Sequence, residues 1–262
     1  MKAFITILLA ACCVFILIAG NLHWQKRIAG SAAPKNLPAA EKSESADPAD
    51  PEKEKLLSLA ANWPESSRKQ LEKALDEQRA FSITILGSKS LGEGSDSWPE
   101  LLKTELQSAY GKDLIETNTL SYDMTSNQFV NQNMEDLLKN PGDMILFEPF
   151  TLNDNGEVGT KAGLENLAFV MEEVKSKNPD STFILQPPHP LYDTIYYPKD
   201  VEELKEYSEE NSIPYLDHWT AWPELDDPEL KEYLSSDNSQ PSEKGHRVWA
   251  DYLIDYFINK ES

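Results

Sequence analysis

Beyond residue 13 the chain has no cysteine: its two, Cys12 and Cys13, are adjacent and lie inside an N-terminal apolar run. Whatever folds after that run has neither a disulfide framework nor a thiolate-ligated metal site. Positive charge is the next scarcity. Only 24 Lys and Arg stand against 45 Asp and Glu, giving −21. Lys2, Lys26 and Arg27 precede every acidic residue, which leaves 21 basic against 45 acidic side chains, or −24, from residue 28 onward. A surface of that sign repels phosphate backbones and excludes a nucleic-acid partner. P-loop, Rossmann glycine and His-Glu-x-x-His motifs are also missing, so no cofactor and no metal is expected. What is present, 40% hydrophobic and 10% aromatic residues in 262, excludes global disorder and suits one catalytic-size domain with appendages.

Ala3 to Gly20 is apolar or small throughout except for Thr6. At about 1.5 Å per residue it reaches roughly 27 Å, enough to cross a bilayer and longer than the core of a cleaved signal. Residues 1–27 therefore read as a transmembrane signal-anchor, with a cleaved signal as the alternative. Leu9-Ala10-Ala11-Cys12 resembles a bacterial lipobox, but the run stays apolar past Cys13, where a lipoprotein turns polar. Flanking Lys2 on one side and Lys26-Arg27 on the other do not set orientation. The acidic domain is expected outside the cytoplasm, held at the cell membrane by a single pass, with secretion or lipid anchoring as alternatives.

Residues 28–52, rich in Ala, Pro, Ser and charge, read as a flexible linker. Residues 53–80 show helical spacing (Leu56, Leu57, Leu59, then Leu71, Ala74, Leu75) broken at Trp63-Pro64, and read as a helical stalk or a helix pair leaning on the domain. From 81 to 262 short apolar runs alternate with amphipathic stretches, the pattern of a parallel sheet covered on both faces. Five strands are expected, over Phe81–Gly87, Leu114–Leu120, Met144–Phe150, Thr182–Pro187 and Ile213–Leu216. Helices are expected near 97–110, 125–139, 160–177, 199–210 and 242–259. The fold class is α/β, a three-layer α/β/α domain with a five-stranded parallel sheet, and its function is expected in the loops at the carboxyl ends of the strands.

Those loops hold the chemistry. After the first expected strand comes Gly87-Ser88-Lys89-Ser90-Leu91-Gly92-Glu93-Gly94, and then Trp98-Pro99-x-Leu101-Leu102. A serine on a glycine-rich strand-to-helix turn exposes its hydroxyl while helix-start N–H groups stabilise negative charge. By itself the stretch is equally a tight turn with a helix cap. Leu152-Asn153-Asp154 follows the third strand, and Asp237-Asn238-Ser239-Gln240-Pro241-Ser242-x-x-Gly245-His246 opens the last helix. Taken together and in this order, these blocks resemble the SGNH (GDSL-type) hydrolases, a flavodoxin-like fold, across residues 81–260. The resemblance implies Ser90 as nucleophile. The Ser90 N–H, the backbone N–H of Asp123 and the Asn153 side chain would be oxyanion donors, and Asp237 the carboxylate that orients the base.

The departures from the family pattern bear on activity. Gly-Ser-Lys-Ser replaces Gly-Asp-Ser, which makes Ser88 a competing nucleophile. Asp123 stands where the family has a glycine and brings a carboxylate toward a developing oxyanion. Gln240 occupies the position of the family's histidine, and an amide cannot take the serine proton. The other bases available are His189 after the fourth strand, His218 after the fifth and His246 at the last helix; a structural, hydrogen-bonded role is the alternative for each. Lys89 is disfavoured as a base because neighbours along a strand face opposite ways. Glu148 ends an otherwise apolar strand and, if buried, requires a partner. The aromatic residues Tyr192, Tyr196, Tyr197, Trp219 and Trp222 either line a sugar or acyl rim or pack the loops onto the sheet. Two functions follow. One is a membrane-tethered, extracytoplasmic ester hydrolase acting on a small ester or an acylated glycan or lipid through an atypical or impaired triad. The other is a catalytically silent SGNH-fold protein, a pseudoenzyme, that binds an envelope glycan, lipid or protein in the same cleft.

Overall fold

The computed structural model describes residues 50–260. The membrane segment expected over 1–27 and all but the last three residues of the linker expected over 28–52 lie outside the described residues. Among the described residues no helix is long and apolar enough to cross a membrane.

The Asp50 carboxylate accepts the Glu52 N–H at 3.0 Å and caps α1 (Pro51–Leu59), whose first residue is a proline, where the missing N–H goes unused. Trp63-Pro64 interrupts the helical pattern, and α2 (Glu65–Glu77) follows. This helix pair packs into the domain. Leu71 and Ala74 are buried, and the Trp63 ring lies 5.3 Å from Phe81, 5.5 Å from Tyr110 and 5.7 Å from Phe257. Its Nε1–H donates to the Phe257 carbonyl at 2.9 Å.

Four parallel strands form the sheet: β1 (Phe81–Ser88), β2 (Ile115–Tyr122), β3 (Met144–Phe147) and β4 (Thr182–Leu185), in the order β2-β1-β3-β4. The fifth strand expected over Ile213–Leu216 is reduced to one bridge, Leu185 to Tyr215. Only two backbone bonds form there, Leu185 N–H to Pro214 O and Leu216 N–H to Leu185 O, both 2.8 Å. Pro214 has no N–H to extend the ladder, and the chain turns into a 3₁₀ segment at His218–Ala221. The expected Met144–Phe150 strand stops at Phe147, because Pro149 follows and Phe150 is left-handed (φ 57).

The remaining helices are α3 (Trp98–Tyr110), α4 (Ser126–Gln132), α5 (Met134–Lys139), α6 (Thr151–Asp154), α7 (Thr160–Lys177), α8 (Tyr197–Glu210) and α9 (Glu243–Phe257). The single helix expected over 125–139 divides at Asn133, whose φ of −127 is not helical. Period-two alternation divides the strand side chains between two cores. Ile83, Ile85, Met144, Leu146 and Ile184 join Leu71, Leu102, Trp249 and Phe257 on one face. Leu86, Ile145, Phe147, Phe183 and Leu185 join Phe129, Leu167, Val174 and Leu204 on the other. The three layers expected from the sequence are thus present around a four-stranded sheet, with the carboxyl ends of β1, β3 and β4 aligned at one edge.

Candidate active site

β1 delivers Gly87 and Ser88 to that edge, where Lys89–Leu91 forms a 3₁₀ turn. Glycine is required at 87: a Cβ there would sit 2.7 Å from Glu148 Oε2 and 2.9 Å from Glu148 Cβ. Ser88 is fully buried and caps the turn, its N–H donating to Glu148 Oε2 at 2.6 Å and its hydroxyl accepting the Ser90 N–H at 3.1 Å. Ser88 is thereby committed to holding the turn. Ser90 in turn directs its hydroxyl at His189, with 2.9 Å between Oγ and Nδ1.

The loop that carries His189 is rigid for a legible reason. Gln186-Pro187-Pro188-His189-Pro190 leaves few backbone donors to satisfy and fixes φ at three positions. Three successive carbonyls are then pinned by ring donors: Pro187 O by His218 Nε2–H (2.8 Å), Pro188 O by Trp219 Nε1–H (2.7 Å) and His189 O by the Tyr197 hydroxyl (2.9 Å). The His189 Nε2 lies 3.1 Å from the Asn238 carbonyl. A carbonyl only accepts, so Nε2 carries the hydrogen and Nδ1 presents its lone pair to the Ser90 O–H. Burial pushes His189 down to about 4, so at pH 7 the imidazole is neutral with its Nδ1 lone pair available, and the same burial makes it a weak base. The arrangement is a serine hydroxyl against an imidazole, with a main-chain carbonyl behind the ring where the usual triad has a carboxylate.

The other candidate residues occupy different places. His218 is fully buried with both nitrogens engaged, Nε2–H on Pro187 and Nδ1 accepting the Trp222 Nε1–H at 3.0 Å. Its ring stacks 4.0 Å from Trp249, and burial pushes it down to about 3. It supports the His189 loop and does not reach Ser90. His246 accepts the Trp98 N–H at 3.4 Å and packs on Gly92, where a Cβ would lie 2.5 Å from its Cε1; burial pushes it down to about 4. It makes no hydrogen bond to either serine. The exposed Asp237 turns its carboxylate back on its own loop, to the Ser235 and Ser239 hydroxyls at 2.7 and 2.8 Å, which hold it well below the usual carboxylate range. Asp237 therefore does not orient the base in this structure: left-handed Asn238 (φ 58) carries the chain onward so that its carbonyl meets His189. Gln240 bonds through its backbone to Ser235 and touches neither Ser90 nor His189 among the hydrogen-bonded pairs.

Of the expected oxyanion donors, the Ser90 N–H is engaged by Ser88. The exposed Asp123 carboxylate lies 3.4 Å from Lys89 Nζ, an ion pair that draws its charge sideways. Asn153 stands half-buried on α6, and its amide makes no hydrogen bond among the described residues. Tyr197 and Trp219 pack the base loop, and Tyr196 is exposed. Sequence reasoning placed Tyr197 among the rim or packing aromatics and not as the clamp on His189, and it gave Asn238 no role of its own. Tyr197 had an aromatic signal, whereas a main-chain acceptor leaves none, since every residue supplies a carbonyl.

No family model matches the chain, and no curated protein matches it. Similar solved structures do exist. A GDSL-like protein from Parabacteroides merdae aligns at 14% identity and a TM-score of 0.58, covering 68% of this chain and 96% of that one. A member of the lipolytic G-D-S-L family from Veillonella parvula aligns at 16% and 0.54, covering 67% and 97%. An acetylxylan esterase from Geobacillus stearothermophilus aligns at 17% and 0.53, covering 68% and 94%. At these identities the likeness is one of fold. The domain therefore has the fold of the SGNH/GDSL-type hydrolases.

Proposed function

We propose that the chain is a serine ester hydrolase of SGNH/GDSL type in which Ser90 attacks and His189, not residue 240, is the general base. The observation that carries this reading is the 2.9 Å approach of His189 Nδ1 to Ser90 Oγ with the tautomer fixed from behind by Asn238 O. In the reaction the Ser90 proton passes to Nδ1 as Oγ bonds the ester carbonyl carbon. The same proton passes to the leaving alkoxide, and water then hydrolyses the acyl-serine by the reverse use of the base. The Asn238 carbonyl stabilises the transient imidazolium as a dipole and without a full charge, so turnover is expected below that of a complete triad. Asn153 is the free amide suited to the oxyanion, each such donor contributing about 3–4 kcal/mol.

The substrate class we propose is an acyl or acetyl ester on an envelope glycan or lipid, met outside the cytoplasm by a domain tethered through residues 1–27. An open groove of about 320 Å³ beside the turn, lined by Gly92, Glu93, Ser97, Pro99, Thr119 and Ser121, suits a small, partly polar group of this kind. An acetyl ester on a glycan is also what the acetylxylan esterase named above acts on. The silent, ligand-binding reading is favoured by one observation: Ser90 and His189 are 1% and 0% exposed, and the Ser90 N–H is already bonded.

Hydrolysis of a short-chain p-nitrophenyl ester by the full-length protein separates the two. Turnover is expected, with loss of about 10³-fold or more in both Ser90→Ala and His189→Ala and full retention in Gln240→Ala. Background turnover in the wild type, or activity that survives both of the first two substitutions, overturns the hydrolase reading in favour of the silent one.

A further inference from the structure

Glu148 is a fully buried acid at the site edge that the sequence singled out and the mechanism above does not use. We infer that Glu148 is a positioning residue of the nucleophile turn, fixing the Ser88–Ser90 backbone from beneath so that the Ser90 hydroxyl meets His189; this deepens the hydrolase reading and rests on it.

The geometry is specific to a carboxyl at this position. Glu148 is fully buried, and its Oε2 accepts the Ser88 N–H at 2.6 Å. Its side chain occupies the space that a Cβ on Gly87 would need. Ser88 passes the constraint on, since its hydroxyl takes the Ser90 N–H at 3.1 Å. The other oxygen, Oε1, has no hydrogen-bond partner among the described residues. A leucine here would fill the volume but would strand the Ser88 N–H, so packing alone does not explain an acid at the end of β3. The group also sits near both halves of the site: Tyr197, whose hydroxyl holds His189 O, is among the buried groups that sense its charge.

The groups facing Glu148 are Ser88 from β1, Phe150 N–H and Asp154 from the segment entering α6, and Tyr197 from α8; none is a cation. Desolvation is therefore unopposed by any ion pair, and the carboxyl is pushed up to about 8. At neutral pH the turn rests on an uncharged acid. Ionisation above pH 8 puts an unpaired anion beneath the serine where an oxyanion must form, which opposes attack.

The experiment measures the rate at which a fluorophosphonate labels Ser90 in the full-length protein between pH 6 and 9.5, in wild type and in Glu148→Gln. The wild-type rate is expected to fall about tenfold per pH unit above 8. In Glu148→Gln, where an amide oxygen still accepts the Ser88 N–H, the rate is expected to stay level across the range. An unchanged high-pH fall in the variant, or a level profile in the wild type, overturns the inference. If Ser90 is never labelled, the hydrolase reading fails, and the ¹⁵N–¹H resonances of Ser88 and Ser90 decide the positioning role. A joint titration near pH 8 supports it, and amides that do not titrate refute it. Those wild-type resonances also decide if Glu148→Gln does not fold.

Discussion

Gly92 shows how tightly single residues hold this site. Its φ of 73 and ψ of 178 fall in a region that only glycine occupies readily, and a Cβ would meet the His246 ring at 2.5 and 2.6 Å. Gly92→Ala is therefore expected to cost about 2–5 kcal/mol, the sum of backbone strain and overpacking against a buried ring. Denaturant midpoints measure it, and a loss under about 1 kcal/mol would mean that the turn relaxes freely. At this scale the sequence was informative about Ser90, because a glycine-rich turn after an apolar run has a local signature. It singled out Glu148 for the same reason, as an acid at the end of an apolar strand. It could not choose His189 over His218 and His246. All three are buried, and what separates them is which ring nitrogens remain free once Trp222, Trp98 and Pro187 have been satisfied. That choice is made by loops far apart in the chain.

Among the elements, the helix pair ahead of the sheet shows most clearly how pattern becomes packing. Helical spacing with a break at Trp63-Pro64 was legible, and so were α3, α7, α8 and α9 to within a few residues. The role of Trp63 was not, because nothing local says that its ring fills the space between Phe81, Tyr110 and Phe257 while its N–H satisfies the last turn of α9. Trp63→Ala is expected to destabilise the domain by about 3–5 kcal/mol, the range for emptying a buried aromatic site. Deleting residues 50–64 should cost at least as much, and thermal melts of both variants would show it. An unaltered melting point in Trp63→Ala would mean that α1 and α2 ride on the domain without supporting it. The missing fifth strand teaches the converse. Ile213–Leu216 has strand composition, but a proline at its second position removes the donor that a ladder needs.

For the molecule as a whole, buried titratable groups set a narrow range of pH for stability. His189 and His246 are held at about 4 and His218 at about 3, against an ordinary value of 6.5. As pH falls below 6.5 the unfolded chain takes up protons that the folded one refuses, so stability drops toward pH 4, by about 1.36 kcal/mol per unit for each imidazole. Glu148 works in the other direction. Its carboxyl is raised from 4.5 to about 8, so between those values the folded chain keeps a proton that the unfolded chain has released, and its stabilising contribution is lost progressively as pH rises from 4.5 to about 8. Self-repulsion of the −21 charge acts in the same sense. Maximum stability is expected between about pH 6 and 7, with Glu148→Gln removing the decline from there to about pH 8 and steepening the rise on the acid side. Urea midpoints across pH 4.5–9 test this, and a level plateau over that whole range would refute it.

Both ends of the described domain meet α1: Asp50 caps its start, and Asn259 bonds its last residue. Asp50 borders the Gly111–Leu114 segment that precedes β2, and the Asn259 N–H donates to Leu59 O at 2.8 Å, so both ends gather where the strands begin, away from Ser90 where β1 finishes. A bead, a fusion partner or a cell surface attached through either end would hold the molecule from behind. Short linkage of the two ends would likewise leave the working edge uncovered, which makes this domain a natural candidate for circular permutation.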